Sequence, residues 1–275
     1  PADTRGTIFT AWPNLHCAFS VNSWSAIPGD CSNMRVALMV TCLGDVFFPQ
    51  VGWATVRLLE KLGVEVDFPQ RQTCCGQPHF NSGHWEDARV LAQHTLRVFA
   101  EADYVVIPSG SCAAMVKLEY PELFRDRPRL HAQALAVARK TWELAAFLIE
   151  VLHCEDVGAC LPGKAVYHMA CHLRPLGAGE YPLRLLRRVR GLQLLALERH
   201  DECCGFGGSF SVRFPEISAA MVRDKCRCIE ESGADYVIST DAGCLMNIGG
   251  YLRRHHSRVR TLHLAEVLVA DGAHT

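Results

Sequence analysis

Two adjacent cysteines, Cys203 and Cys204, precede Gly205 in the stretch DECCGFGGSF, and a second pair, Cys74 and Cys75, precedes Gly76 in TCCGQPHF. Neighbouring cysteines are poorly placed for a disulfide with each other, because the bond geometry is strained between adjacent residues. Two neighbouring thiolates can instead grip iron or zinc, and the glycine lets the backbone turn tightly beside a bulky group. Cys42 precedes the first pair with 31 residues between, and Cys171 precedes the second pair with the same 31. Downstream, ADYVVIPSGSC ends at Cys112 and ADYVISTDAGC ends at Cys244. The copies are offset by 129 residues at their first three cysteines and by 132 at the last. The chain is therefore an internal duplication in which each half carries the same four thiols.

Four thiolates per half match the demand of an iron–sulfur cluster. Zinc also accepts four, although it commonly uses C-x-x-C knuckles, which neither half has at its motif. Fourteen cysteines in 275 residues leave two plainer readings. A secreted disulfide scaffold is usually small and comes with a signal peptide, and no basic n-region stands here. Scattered buried thiols would account for Cys154, Cys160, Cys226 and Cys228, but not for one pattern occurring twice. A metal framework with free thiols places the chain in a reducing compartment, the cytoplasm.

Composition narrows the classes. With 49% apolar residues and a net charge of −1, the chain is globular and has no basic stripe for nucleic acid. No run of 18 apolar residues is present, so no membrane span is expected.

The elements that must position these cysteines read as α/β. RVALMVTC, ending at Cys42, is a buried parallel strand. After a loop with Gly44 and Pro49, Val51, Ala54, Leu58, Leu59 and Leu62 mark a helical face closed by Gly63. VEVDFP is a strand leading to the first Cys–Cys–Gly turn. Asp87 to Ala100 is a helix, and ADYVVIPSGSC a strand whose cysteine opens another helix. Pro121 to Pro128 is a connection, His131 to Leu152 a helix, and Cys154 to Gly163 the linker between halves. Then the order restarts: AVYHMAC, PLRLLRRV, LQLLAL, the second Cys–Cys–Gly turn, a helix over Glu216 to Ser232, and ADYVIST. TLHLAEVL echoes TWELAAFL, so each copy is expected to end in a related helix. The expectation is two tandem, pseudo-symmetric parallel-sheet domains, 34–153 and 164–275, with residues 1–33 unassigned and poorly packed. One explanation of that segment is that Met34 is the true start. In such units ligands sit at the carboxyl ends of the strands, where all four cysteines of a half fall.

The motifs VTCLGDVFFP, QTCCGQPHFNSG, IPSGSCAAMV, ACHLRP, ECCGFGGSFSVRFPEIS and STDAGCLMNIGG resemble the CCG, or cysteine-rich, domain. That family includes the cysteine-rich chain of heterodisulfide reductase and the iron–sulfur subunits of glycolate, glycerol-3-phosphate and lactate oxidation systems. The likeness runs from Met34 to the C-terminus and is nearest to the small iron–sulfur subunits of lactate oxidation. It implies an electron-transfer subunit working with a larger ferredoxin-type iron–sulfur subunit and a third small protein. It also implies cluster ligands at Cys42, Cys74, Cys75 and Cys112 in the first half and Cys171, Cys203, Cys204 and Cys244 in the second, one 4Fe-4S cluster each. The full family pattern ends in C-x-x-C. Here Met115 and Asn247 stand at the fifth positions, which argues against the non-cubane cluster and disulfide cleavage of the reductase branch and for ordinary cubanes.

Other residues carry weaker readings. His172, His79 and His84 could tune a sulfur, with His172 the foremost; loop histidines are the ordinary alternative. Asp241 reads as a turn cap rather than an acid catalyst. Cys226 and Cys228, two apart on a helix, should face different directions and be structural. The glycines of GFGGS lack P-loop or dinucleotide spacing and read as room for a cluster. Arg184, Arg187, Arg188 and Arg190 read as a solvated face.

Overall fold

The computed structural model describes residues 34–272, so the reading of residues 1–33 lies outside the described residues. The first half runs β1 (Arg35–Leu38), α1 (Cys42–Phe47), α2 (Pro49–Lys61), β2 (Glu65–Asp67), α3 (Gln77–Asn81), α4 (Trp85–Val98), β3 (Tyr104–Ile107), α5 (Gly110–Ala114), α6 (Tyr120–Leu123), α7 (Pro128–Lys140), β4 (Thr141–Glu143) and α8 (Leu144–Ala146). Wider π turns follow α5 and α8, over Met115–Glu119 and Phe147–Val151. The second half runs β5 (Cys160–Tyr167), α9 (Tyr181–Leu186), β6 (Arg190–Leu194), α10 (Phe210–Arg213), α11 (Pro215–Glu231), β7 (Tyr236–Ser239), α12 (Ala242–Arg254), β8 (Arg260–His263) and α13 (Leu264–Leu268).

Each half folds as one four-stranded, wholly parallel sheet, in the orders β2-β1-β3-β4 and β6-β5-β7-β8. The expected duplication is thus present as fold. Strand alternation distributes the core. Val36, Val106, Ala165, Tyr167, Tyr236 and Ile238 turn to a central layer shared by the two halves, where α2, α8, α9 and α13 pack. Ala37, Val105 and Ile107 turn outward onto α4 and α7, and Val166 and Val237 onto α11 and α12. One core between the sheets makes the halves a single body.

Three expectations change. The helix expected over His131 to Leu152 stops at Lys140, and Thr141–Glu143 forms β4 beside β3. The half-buried Lys117 ammonium donates to Ala138 O in the last turn of α7 (3.1 Å) and to Thr141 O just past it (2.7 Å), and lies 5.0 Å from the Trp142 ring centroid. A tertiary partner thus ends a helix that local periodicity would continue. TWELAAFL and TLHLAEVL are accordingly not helices throughout. Each is a strand, an N-cap and a short helix, with Glu143 and His263 as the capping residues. Finally, β5 begins at Cys160, inside the expected linker, and Cys160 N bonds to Ala270 O near the end of the described chain.

Glu143 caps at a cost. Its Oε2 accepts from Ala145 N (2.8 Å) and Ala146 N (3.2 Å), while Oε1 is buried with no partner. Burial raises the carboxyl from 4.5 to about 7. The folded protein therefore holds this proton more tightly than the unfolded chain. The contribution is fully present below pH 4.5 and is lost as pH rises to about 7. Glu143→Gln keeps the accepting oxygen and removes the titration. Urea unfolding at pH 8 should show the variant more stable by up to about 3 kcal/mol, with the two proteins converging near pH 4.5.

Candidate metal centre

The eight motif cysteines lie where parallel strands end and helices begin. Cys42 is the first residue of α1, whose N-cap Thr41 accepts Gly44 N–H through Oγ1 at 3.0 Å. Cys171 opens the corresponding short 3₁₀ turn, Cys171–Leu173. Cys112 and Cys244 are third in α5 and α12, which start at Gly110 and Ala242, so α5 begins two residues before the cysteine expected to open it. The vicinal pairs sit in the turns before α3 and α10, each followed by a left-handed glycine, Gly76 and Gly205, both at φ +85°.

All eight border one cavity of about 270 Å³ between the halves. In the first set Cys42 Sγ lies 3.6 Å from Cys74 Sγ, and Cys75 Sγ lies 3.3 Å from Cys112 Sγ. None of the cysteines among the described residues is in a disulfide. The charge pattern repeats in both sets. Hydrogen bonds from Cys42 and then Cys75 hold the Cys74 thiol down, to about 2, and those from Cys171 and Cys204 do the same for Cys203. Gly76 N and Gly205 N add donors at 3.5 and 3.4 Å. Cys42 is raised by its bond to Cys74, and Cys171 by its bond to Cys203. The bonded pairs Cys42–Cys74 and Cys171–Cys203 thus shift in the same opposed directions in both sets. Thiols brought this close fit a thiolate-bound metal or cluster, which would hold them deprotonated.

The halves are stitched across the cavity by bonds that single-strand reasoning does not reveal. Asp241, 6% exposed, caps its own helix through Oδ1 to Gly243 N (3.1 Å). Its Oδ2 accepts from Ser109 Oγ (3.0 Å) and Ser111 N (3.0 Å) in the other half. Ser109 in turn caps α5 by accepting Cys112 N–H at 3.3 Å. The expected turn cap is therefore also a bridge between the two cysteine-bearing helices. Gln77 Nε2 lies 3.3 Å from His172 Nε2, and Ser82 Oγ donates to Ser209 Oγ at 2.8 Å.

The structure sorts the remaining residues. His172 Nδ1 is 3.5 Å from Cys171 Sγ. His79 helps lower Cys74 through its charge, and His84 precedes α4 as its N-cap. Met115 is fully buried in the first outer core, and Asn247 Nδ2 donates to Cys204 O at 2.8 Å, so neither fifth position faces the thiols as a donor. Tyr120 Oη serves Cys75 O likewise at 2.8 Å. Cys226 and Cys228 are both buried in the outer core of the second half, Cys228 also bordering a surface pocket that Cys226 does not reach. Of the glycines, Gly207 and Gly208 border the cavity, but Gly205 is required by packing. A Cβ there would meet Ser218 O and Met221 Cβ, each at 2.9 Å. Arg184 and Arg188 pair with Glu155. His168 was not singled out in the sequence. It is fully buried, burial lowers it to about 3, and its ring lies by Cys204 and Cys244. The available signal was a histidine in one repeat where the other has Met39.

Asp241→Ala would leave Ser109 Oγ, Ser111 N and Gly243 N without their acceptor in a buried site. Loss of about 3 kcal/mol is expected, read as a lower urea midpoint, with metal lost from both halves rather than from the second alone. Ser109→Ala should cost about 1 kcal/mol.

The cysteine-rich domain profile named CCG matches residues 36–117 and 165–249, one match per half. "Lactate utilization protein A" of Geobacillus thermodenitrificans is 56% identical over 236 residues, covering 86% of this chain and 98% of that protein. The protein of the same name from Geobacillus kaustophilus is 54% identical over 238 residues, covering 86% and 99%. Among solved structures, a hypothetical protein from Helicobacter pylori superposes with a TM-score of 0.62 at 11% identity. That match covers 88% of this chain and 50% of the other, so this chain spans half its length, and the likeness is one of fold. With a profile match in each half and relatives above 50% identity across their whole length, the chain belongs to the CCG cysteine-rich domain family.

Proposed function

We propose that this chain is an iron–sulfur electron-transfer subunit of a system that oxidises L-lactate or a related 2-hydroxy acid. One observation carries the reading: two equivalent sets of four thiols open onto the same cavity. Cys42, Cys74, Cys75 and Cys112 would hold one 4Fe-4S cluster, and Cys171, Cys203, Cys204 and Cys244 another. Clusters so held take up and release single electrons. The chain's own residues supply the thiols, the glycine N–H donors and a site walled by both halves. The lactate assignment is supported by the names of the relatives.

The partners in this reading are a larger ferredoxin-type iron–sulfur subunit and a third small subunit, with hydride chemistry outside this chain. Exposed apolar side chains flank the motifs: Phe47 after Cys42, and Val212, Phe214 and Ile217 after the second pair. Apolar side chains grouped near a redox site suit docking. Free thiols suit the cytoplasm, and no helix among the described residues is long and apolar enough to cross a membrane.

A second reading, zinc, draws only on the spacing within the two thiol pairs of the first set, since no three thiols of either set lie within 4.8 Å of one another. The 3.6 and 3.3 Å separations approach the edge of about 3.8 Å expected for sulfurs bound tetrahedrally at about 2.3 Å. Iron, zinc and acid-labile sulfide on anaerobically purified protein separate the two. About eight irons and eight sulfides per chain are expected, with Cys75→Ser and Cys204→Ser each losing about half. Zinc without sulfide would overturn the electron-transfer reading.

A further inference from the structure

The two cysteine sets are near copies, but the residues beneath them are not. His168 stands three residues before Cys171, and Met39 three before Cys42. Both leave the first strand of their sheet in the same way: Met39 N donates to Val106 O and His168 N to Ile238 O, each at 2.9 Å. Met39 packs in the first outer core. His168 is 0% exposed, and neither ring nitrogen has a hydrogen-bond partner. Unpaired polar atoms in a buried site are destabilising, and a methionine in the other repeat avoids that penalty.

The ring is not idle in space. A ring nitrogen of His168 and the Sγ atoms of Cys204 and Cys244 all lie within 4.8 Å of one another, all three residues being buried. Cys204 and Cys244 border the cavity and His168 does not, so the imidazole approaches these sulfurs from the protein side. A second asymmetry lies beside it. Tyr167 pairs with Ile238 across β5 and β7, which sets His168 next to Ser239. Ser239 Oγ is also buried without a partner. In the first half the corresponding residue is Ile107, at the end of β3.

We infer that His168 is a nitrogen ligand of the second centre. The two centres then differ in kind: all-thiolate in the first half, and in the second an imidazole beside Cys204 and Cys244 that takes the place of one of the other two thiolates assigned above, Cys171 or Cys203. The inference rests on the reading above for the presence of metal, and deepens it. Where imidazole stands in for a thiolate, an iron–sulfur centre has a higher reduction potential, so the second centre is the stronger electron acceptor of the pair.

The test uses the full chain, purified anaerobically after growth with ¹⁵N-histidine, and pulsed EPR of its oxidised and reduced forms. A strongly coupled nitrogen that changes with the isotope is expected. It should vanish in His168→Met, which installs the first half's residue, and in His168→Gln, while iron content is kept. It should persist in His172→Gln, and Met39→His should add a second coupled nitrogen. Absence of a strongly coupled histidine nitrogen in the parent protein, or its survival in the His168 variants, overturns the assignment. Metal analysis of the same sample keeps the two failures apart. Zinc in place of iron overturns the electron-transfer reading, and the ligand question is then answered with the same label in cobalt(II)-substituted protein.

Discussion

The structure depends on one carboxylate placed where the two halves meet. Asp241 and Ser109 occupy matching positions in the two repeats, each capping the helix that carries its half's last cysteine. They also bond to each other at 3.0 Å, with Ser111 N as a third partner of the carboxylate. A buried carboxylate is tolerated only when its lone pairs are filled, and here the donors come from both halves. Its satisfaction therefore requires the halves to dock in one arrangement. Cys112 and Cys244 are each close in sequence to this bridge, so the docking that satisfies Asp241 also brings both thiol sets to one cavity.

The shared core acts in the same direction. Parallel sheets need cover on both faces, and each half has an outer helical layer of its own on only one side. The inner faces are covered by one common layer, in which α2 of the first half packs against α13 of the second. Neither half closes its core alone. A duplicated unit that would otherwise expose apolar surface becomes a single body with its strand ends, and hence its thiols, facing inward.

Within that frame the repeats have diverged where function could differ. The thiols keep the same ionisation pattern, with Cys74 and Cys203 held low by their neighbours. Beneath them, Met39 and Ile107 in one half correspond to His168 and Ser239 in the other. Above them, Gln77 meets His172 across the cavity. Duplication supplies two thiol sites at once, and substitution around them makes the sites unequal.

Much was legible in the chain itself. The repeated spacing of Cys42, Cys74, Cys75 and Cys112 with Cys171, Cys203, Cys204 and Cys244 established the duplication and the thiol sets, because cysteines at matching offsets must occupy matching places in a repeated fold. Short β-branched runs located the buried strands, since burial on both faces leaves no room for polar residues. What sequence could not decide was everything set by contact between distant residues. Lys117 ended α7 and freed Thr141–Glu143 to join the sheet; periodicity alone favoured one long helix. The second role of Asp241, the burial of both Cys226 and Cys228, and the place of His168 beside Cys204 and Cys244 were likewise settled only by docking one half on the other and each helix on its sheet. Local pattern specifies which elements form. Which polar groups share a buried boundary is a property of the packed molecule, because desolvation acts only once the partners have met.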